Sequence, residues 1–166
     1  MANPIDLILQ DHNDQLDACD KLEDLASRVG LEPLAERARD LLAHLTRDLQ
    51  VHIEDEERDL FPHLASCASS HSELVEVLDQ LVAEHEADKE LAAKVAEGLG
   101  ILVEGSSLAN PTRFFMDVCA FCANQRRHLN WENRIVLPLA DRLLSDKQKA
   151  AISQSMTARR AQNLSQ

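Results

Sequence analysis

HIEDEERDLFP at residues 52–62 and HLNWENRIVLP at residues 128–138 are two versions of one pattern: His, then Glu four positions on, then Pro six after that. The landmarks keep one offset, 52 to 128, 56 to 132 and 62 to 138, and a further histidine lies upstream of each copy, His12 and His85. The chain reads as two helical hairpins of similar design. Residues four apart share a helix face, so Glu56 points the way of His52 and Glu132 the way of His128. At ~100° per residue, Leu45, Leu49, Phe121 and Ile135 fall within ~60° of the histidine of their own helix, which makes that face the apolar one. The His/Glu set is expected to point into a bundle.

Caps and breakers on either side outline the helices. Asn3 before Pro4 reads as an N-cap with proline in the first turn, and Gly30 as the stop, giving a first helix over about 4–29. Pro33 opens a second, with Leu41, Leu42, Leu45, Leu49, Ile53 and Leu60 in its stripe until Pro62 ends it. Ser70 and Glu73 have capping-box spacing and begin a third over about 71–103. Asn110 and Pro111 open a fourth that runs to Pro138, and Ser145 with Gln148 opens a short final helix. The expectation is an all-α chain, an up-down-up-down four-helix bundle with a short C-terminal fifth helix. It forms one domain over 1–166, with its core at about 4–144 and the last helix at about 145–161. Helix rise puts His12 and His52 at ~26 and ~28 Å from their connecting turn, which is nearly one level. His85 and His128 balance similarly.

Composition agrees with this outline. A chain of 166 residues can bury roughly 70% of its unfolded surface without help from a metal or disulfide. Tyr is absent and aromatics are 3%, which is poor material for strands. A net charge of -12 repels phosphate backbones and anionic lipid, so neither nucleic acid nor membrane is an expected partner. With no stretch of ~20 apolar residues and no leader-like start, a cytoplasmic location is expected. The four cysteines do not make a disulfide framework and are expected to be thiols.

Inside an apolar bundle, four imidazoles and two carboxylates without partners would cost several kcal/mol per ionised group. A metal removes that cost. Imidazole nitrogen and carboxylate oxygen suit Fe, Zn or Mn, a carboxylate can bridge, and the two-fold arrangement of six ligands suggests two ions. A single His-x-x-x-Glu is ordinarily a surface charge pair, but that does not account for two copies with the same trailing Pro and matched upstream histidines. The candidate ligands are His12, His52, Glu56, His85, His128 and Glu132. His44 lies ~80° round from His52 and could approach only from the side. His63 and His71 are expected in solvent, as is the run Glu54, Asp55, Glu57 around Glu56. Cys119 and Cys122 sit mid-helix and are expected to pack, like Trp131, while Arg126 and Arg127 lie outside.

The set His12, His52-x-x-x-Glu56, His85, His128-x-x-x-Glu132, with its trailing Phe61-Pro62 and Leu137-Pro138, resembles the hemerythrin-like family, also called the HHE cation-binding domain. The resemblance covers about residues 5–144. It implies a non-haem di-iron centre, oxo- or hydroxo-bridged, with His12 and His52 on one iron, His85 and His128 on the other, and Glu56 and Glu132 bridging. Oxygen-carrying members place a second histidine four residues after the first on the third helix and close the fourth with His-x-x-x-x-Asp. Here those features are Lys89 and His-x-x-x-Glu. One nitrogen ligand fewer implies binding or turnover of a small oxidant (oxygen, peroxide or nitric oxide) in place of reversible carriage. The alternative is an iron-handling or gas- and redox-sensing module without turnover, and a third is a helical interaction module whose histidines only pack. Lys89, one turn beyond His85, is expected to reach past the core to solvent sooner than to place a proton donor beside the metals.

Overall fold

In a computed structural model that describes residues 3–68 and 73–163, every regular element is helical. The helices are α1 (Pro4–Ser27), α2 (35–66), α3 (Glu73–Val103), α4 (111–143) and α5 (Asp146–Asn163). The caps form where the sequence puts them. Asn3 Oδ1 accepts from the Ile5 N–H at 3.2 Å, and Asn110 Oδ1 from the Arg113 N–H at 2.9 Å. Ser145 and Gln148 exchange bonds, the Ser145 N–H donating to Gln148 Oε1 at 3.0 Å and the Gln148 N–H to Ser145 Oγ at 3.4 Å. Gly30 takes φ 83 in the turn after α1, a conformation that a side chain would strain. The Ser70 half of the other capping box, and His71, lie outside the described residues.

Neither proline ends its helix. α2 continues to Ser66 and α4 to Leu143, because each widens into a π-turn just ahead of the proline, Glu56–Leu60 before Pro62 and Glu132–Val136 before Pro138. The Phe61 N–H then bonds back five residues to Glu56 O, and the Leu137 N–H to Glu132 O. A proline costs an α-helix one i−4 bond and sets its ring against the i−4 carbonyl. A preceding turn already widened by one residue has given up that tight register. Each π-turn also starts on a candidate ligand, as such insertions often do at functional sites. The extra residue turns everything beyond it by about one position, so Val136 takes the core place expected of Ile135, which is left 39% exposed. A further π-turn, His44–Asp48, occurs in α2 alone among the two ligand-bearing helices that carry these motifs.

Contacts at successive levels run α1 antiparallel to α2 (Asp11 with His52, Asp24 with Arg37) and to α4 (His12 with Asn133, Glu23 with Arg126). They run α3 antiparallel to α4 (His85 with His128, Gly98 with Phe114). At the last of these a Cβ on residue 98 would lie 2.3 Å from the Phe114 ring, so glycine sets how closely the two helices approach. The core has two apolar clusters. One includes Leu22, Leu25, Leu45, Leu49, Leu99 and Phe121, the other Ile8, Leu60, Leu64, Val136, Leu137 and Met156. Each fully buried aliphatic side chain contributes roughly 1.5–3 kcal/mol. α5 adds Ile152 and Met156 to the second cluster and clamps α2 from outside, Arg159 and Arg160 both binding Asp55. No described helix is long and apolar enough to cross a membrane.

Candidate metal centre

Between the two apolar clusters lies a polar layer. Along α1 the buried residues run Ile5, Ile8, then His12 and Gln15, then Ala18 and Leu22, so the polar pair interrupts an apolar stripe. The other helices bring His52 and Glu56, His85, and His128 and Glu132 to the same level, all 3% exposed or less. The His12 and His52 rings are 5.0 Å apart between centroids, and those of His85 and His128 are 4.8 Å apart. All six candidates converge, in two overlapping groups: His12, His52, Glu56 and Glu132, and Glu56, His85, His128 and Glu132. Within each group the ligand atoms lie within 4.8 Å of one another.

The inner atoms are close without being hydrogen-bonded in the ordinary sense. His12 Nε2 is 3.5 Å from Glu56 and 3.3 Å from Glu132, and His52, His85 and His128 each put Nε2 3.3 Å from a glutamate oxygen. Both oxygens of both glutamates, and His12 Nε2, are buried with no hydrogen-bond partner. His85 Nε2 and His128 Nε2 face each other at 3.1 Å. Two atoms that share one cation at ~2.1 Å each, at right angles, lie ~3 Å apart. Orphaned carboxylate oxygens cost several kcal/mol unless something positive stands among them. The donor set fits a metal.

The outer ring nitrogens have firm partners. His12 Nδ1 donates to Asn133 Oδ1 at 2.6 Å, His52 Nδ1 to Asp11 at 3.4 Å, His85 Nδ1 to Glu57 at 2.8 Å and His128 Nδ1 to Glu84 at 3.0 Å. All four partners are acceptors, so each ring keeps its proton on Nδ1 and turns the Nε2 lone pair inward, as a metal requires. At His12 burial works against charge, yet Glu132 and Glu56 outweigh it and raise its pKa to about 10. Burial is likewise overcome at His52 by Glu56 and Asp11, and at His128 by Glu132 and Glu56, each rising to about 9. Burial pushes the two glutamates up, but His52 and His12 hold Glu56, and His12 and His128 hold Glu132, below the usual carboxylate range. The cluster pulls positive charge to its centre, where a cation can replace the protons.

Residues near the set divide differently from expectation. His44 stays beside the site, half-buried, with Nδ1 3.8 Å from Asp48 and its pKa lowered by burial. Lys89 keeps to the outside, 2.6 Å from Glu86 and 3.9 Å from Glu57. Asp55 and Glu57 are not a solvated run: Asp55 is fully buried against Arg159 and Arg160, and Glu57 carries His85. His63 donates to Asp59 O at 2.7 Å, which occupies a carbonyl in the widened turn. Trp131 is 45% exposed and does not pack in the bundle, whereas Arg126 lies outside and binds Asp20 and Glu23. Cys122 is buried, its Sγ 3.6 Å from Cys19 O. The outer partners Asp11, Glu57, Glu84 and Asn133 have one sequence signal: each sits next to a candidate ligand, at Asp11-His12, Glu56-Glu57, Glu84-His85 and Glu132-Asn133.

Comparison with curated proteins and with solved structures finds none that matches. The family model of the hemerythrin HHE cation binding domain matches residues 3–140, which spans all six candidate ligands and their four outer partners. The chain belongs to the hemerythrin HHE cation-binding domain family.

Proposed function

We propose that this is a non-haem di-iron protein that binds or turns over a small oxidant: oxygen, peroxide or nitric oxide. His12 and His52 would hold one iron, His85 and His128 the other, and Glu56 and Glu132 would bridge them, within an up-down-up-down bundle. The observation that carries the reading is the set of four buried glutamate oxygens with no hydrogen-bond partner, ringed by four Nε2 atoms. When bound, a pair of iron ions supplies one-electron steps at two adjacent centres. The chain supplies the rest. Asn133, Asp11, Glu57 and Glu84 fix ring orientation, and the apolar clusters on either side exclude water. Lys89 stands behind Glu57 and Glu86, so the group nearest His85 that can hold a proton is Glu57 itself. A net charge of -12 favours small ligands over nucleic acid or membrane, and the chain is read as cytoplasmic.

The second reading, an iron-handling or sensing module, uses the same centre without turnover. Elemental analysis of the purified protein should give two iron ions per chain, and Glu56→Ala should lower occupancy of both. One ion per replete chain, or full occupancy after that substitution, would overturn the two-ion centre. Steady-state consumption of peroxide or nitric oxide separates an oxidant-processing protein from the sensing module.

A further inference from the structure

The inner ligands of the two halves match, but what stands behind them does not. Behind His85 and His128 both acceptors are carboxylates, Glu57 at 2.8 Å and Glu84 at 3.0 Å. Behind His12 stands the neutral carboxamide of Asn133 at 2.6 Å. Behind His52 stands Asp11, at a longer 3.4 Å, with its two oxygens engaged by Arg160 at 3.0 and 2.5 Å. Lys89 does not cancel the first pair in the same way, since it bonds Glu86 at 2.6 Å and stays 3.9 Å from Glu57. One histidine pair therefore has two anions behind it, with Lys89 3.9 Å from one and Arg127 near the other, while the other pair has a single anion held directly in hydrogen bonds by Arg160.

A cavity also adjoins the first half. His52 lines a cavity of about 280 Å³, shared with Asp11, Gln15, His44 and Arg160. Gln15 is 4% exposed and its Nε2 has no partner. The equivalent position three residues after His85 is Asp88, which accepts from Gln125 at 2.9 Å. The counterpart of Gln125, three residues before His52, is Leu49, so the first half lacks the polar pair present in the second. The groove beside the second half is lined by Glu84 and Trp131 and by neither His85 nor His128.

We propose that the two metal positions are unequal: the one between His85 and His128 fills first and is retained, and the one between His12 and His52 fills second and exchanges through the cavity at His52. This rests on the metal-binding reading above. Both positions have two imidazoles and share two glutamates, so the inner ligands do not distinguish them. A carboxylate accepting from Nδ1–H makes its imidazole a stronger donor, and an anion not tied up in an arginine's hydrogen bonds favours a nearby cation more. Both effects fall on the His85 side.

The test is anaerobic calorimetric titration of metal-free protein with Fe(II), together with anomalous scattering from crystals of the unaltered protein grown with one equivalent. Two steps at least about tenfold apart are expected, with the single equivalent between His85 and His128. Glu57→Gln or Glu84→Gln should weaken the tighter step by about tenfold or more, and Asn133→Asp should strengthen the weaker one, with circular dichroism checking the fold. Two equal steps, first density between His12 and His52, or equal weakening of both steps by Glu57→Gln would overturn the proposal. No binding at all would instead overturn the metal centre. Should a variant fail to fold, the scattering from unaltered protein still decides.

Discussion

Each histidine of the centre has an acceptor on its outer ring nitrogen and glutamate oxygens close to its inner one, and at His12, His52 and His128 that governs the answer to protons. With no metal, His12, His52 and His128 titrate at about 10, 9 and 9 in the folded chain, against 6.5 when unfolded. The folded state binds protons that the unfolded state has already released. Their contribution to stability is complete below pH 6.5 and is lost as pH climbs to about 10. The melting temperature of chelator-treated protein should therefore fall across that window, while affinity for metal, which must displace the same protons, should rise. Melting scans in chelator at several pH values check this, and a melting temperature that rises with pH would contradict it. The convergence of the six candidate ligands was legible in the sequence because they repeat. Their outer partners were not, because Asp11, Glu57 and Glu84 look like any acid on a charged helix until the helix opposite is known. Asp55 was misread for the same reason, since Arg159 and Arg160 come from over 100 residues away.

At the scale of the helix, the π-turns are where a straightforward reading of periodicity fails. Proline was read as a stop, correctly in terms of its penalties, but a widened turn ahead of it lets α2 and α4 continue and shifts their apolar stripes by one residue. Helix starts were legible because caps are local chemistry, whereas a π-turn is chosen by packing on both sides of it. The structure therefore predicts a large effect from a small insertion. Inserting one alanine after Arg58, whose side chain is 67% exposed, adds a residue that the already widened turn has no room to absorb, and should rotate 61–66 by ~100°, carrying Phe61 and Leu64 out of the core. Losing two such side chains costs roughly 2–5 kcal/mol each, a large part of an ordinary domain's stability. Arg58→Ala keeps the length and should stay within about 0.5 kcal/mol. Thermal melts of the two variants side by side provide the comparison, and an insertion as mild as the substitution would mean that the turn can widen again.

Across the whole molecule, the polar layer separates two apolar clusters that could each be packed without it. Bound metal should then join them, because it stabilises the folded state alone. At a free concentration a thousand times Kd, one ion adds ~4 kcal/mol, which for a chain of this size moves Tm by on the order of 10 °C. Removing metal with a chelator at neutral pH should lower Tm by that order, and equal melting of both forms would speak against a buried site. The dipeptides Asp11-His12, Glu56-Glu57, Glu84-His85 and Glu132-Asn133 carry a consequence of another kind. In each, one residue faces the centre and its neighbour holds a ring that belongs to a different helix. Sliding any of these four helices by a single residue, ~1.5 Å, would break an inward contact and an outward one together. The centre thus works as a vernier between four smooth apolar rods, fixing their axial alignment before any ion arrives.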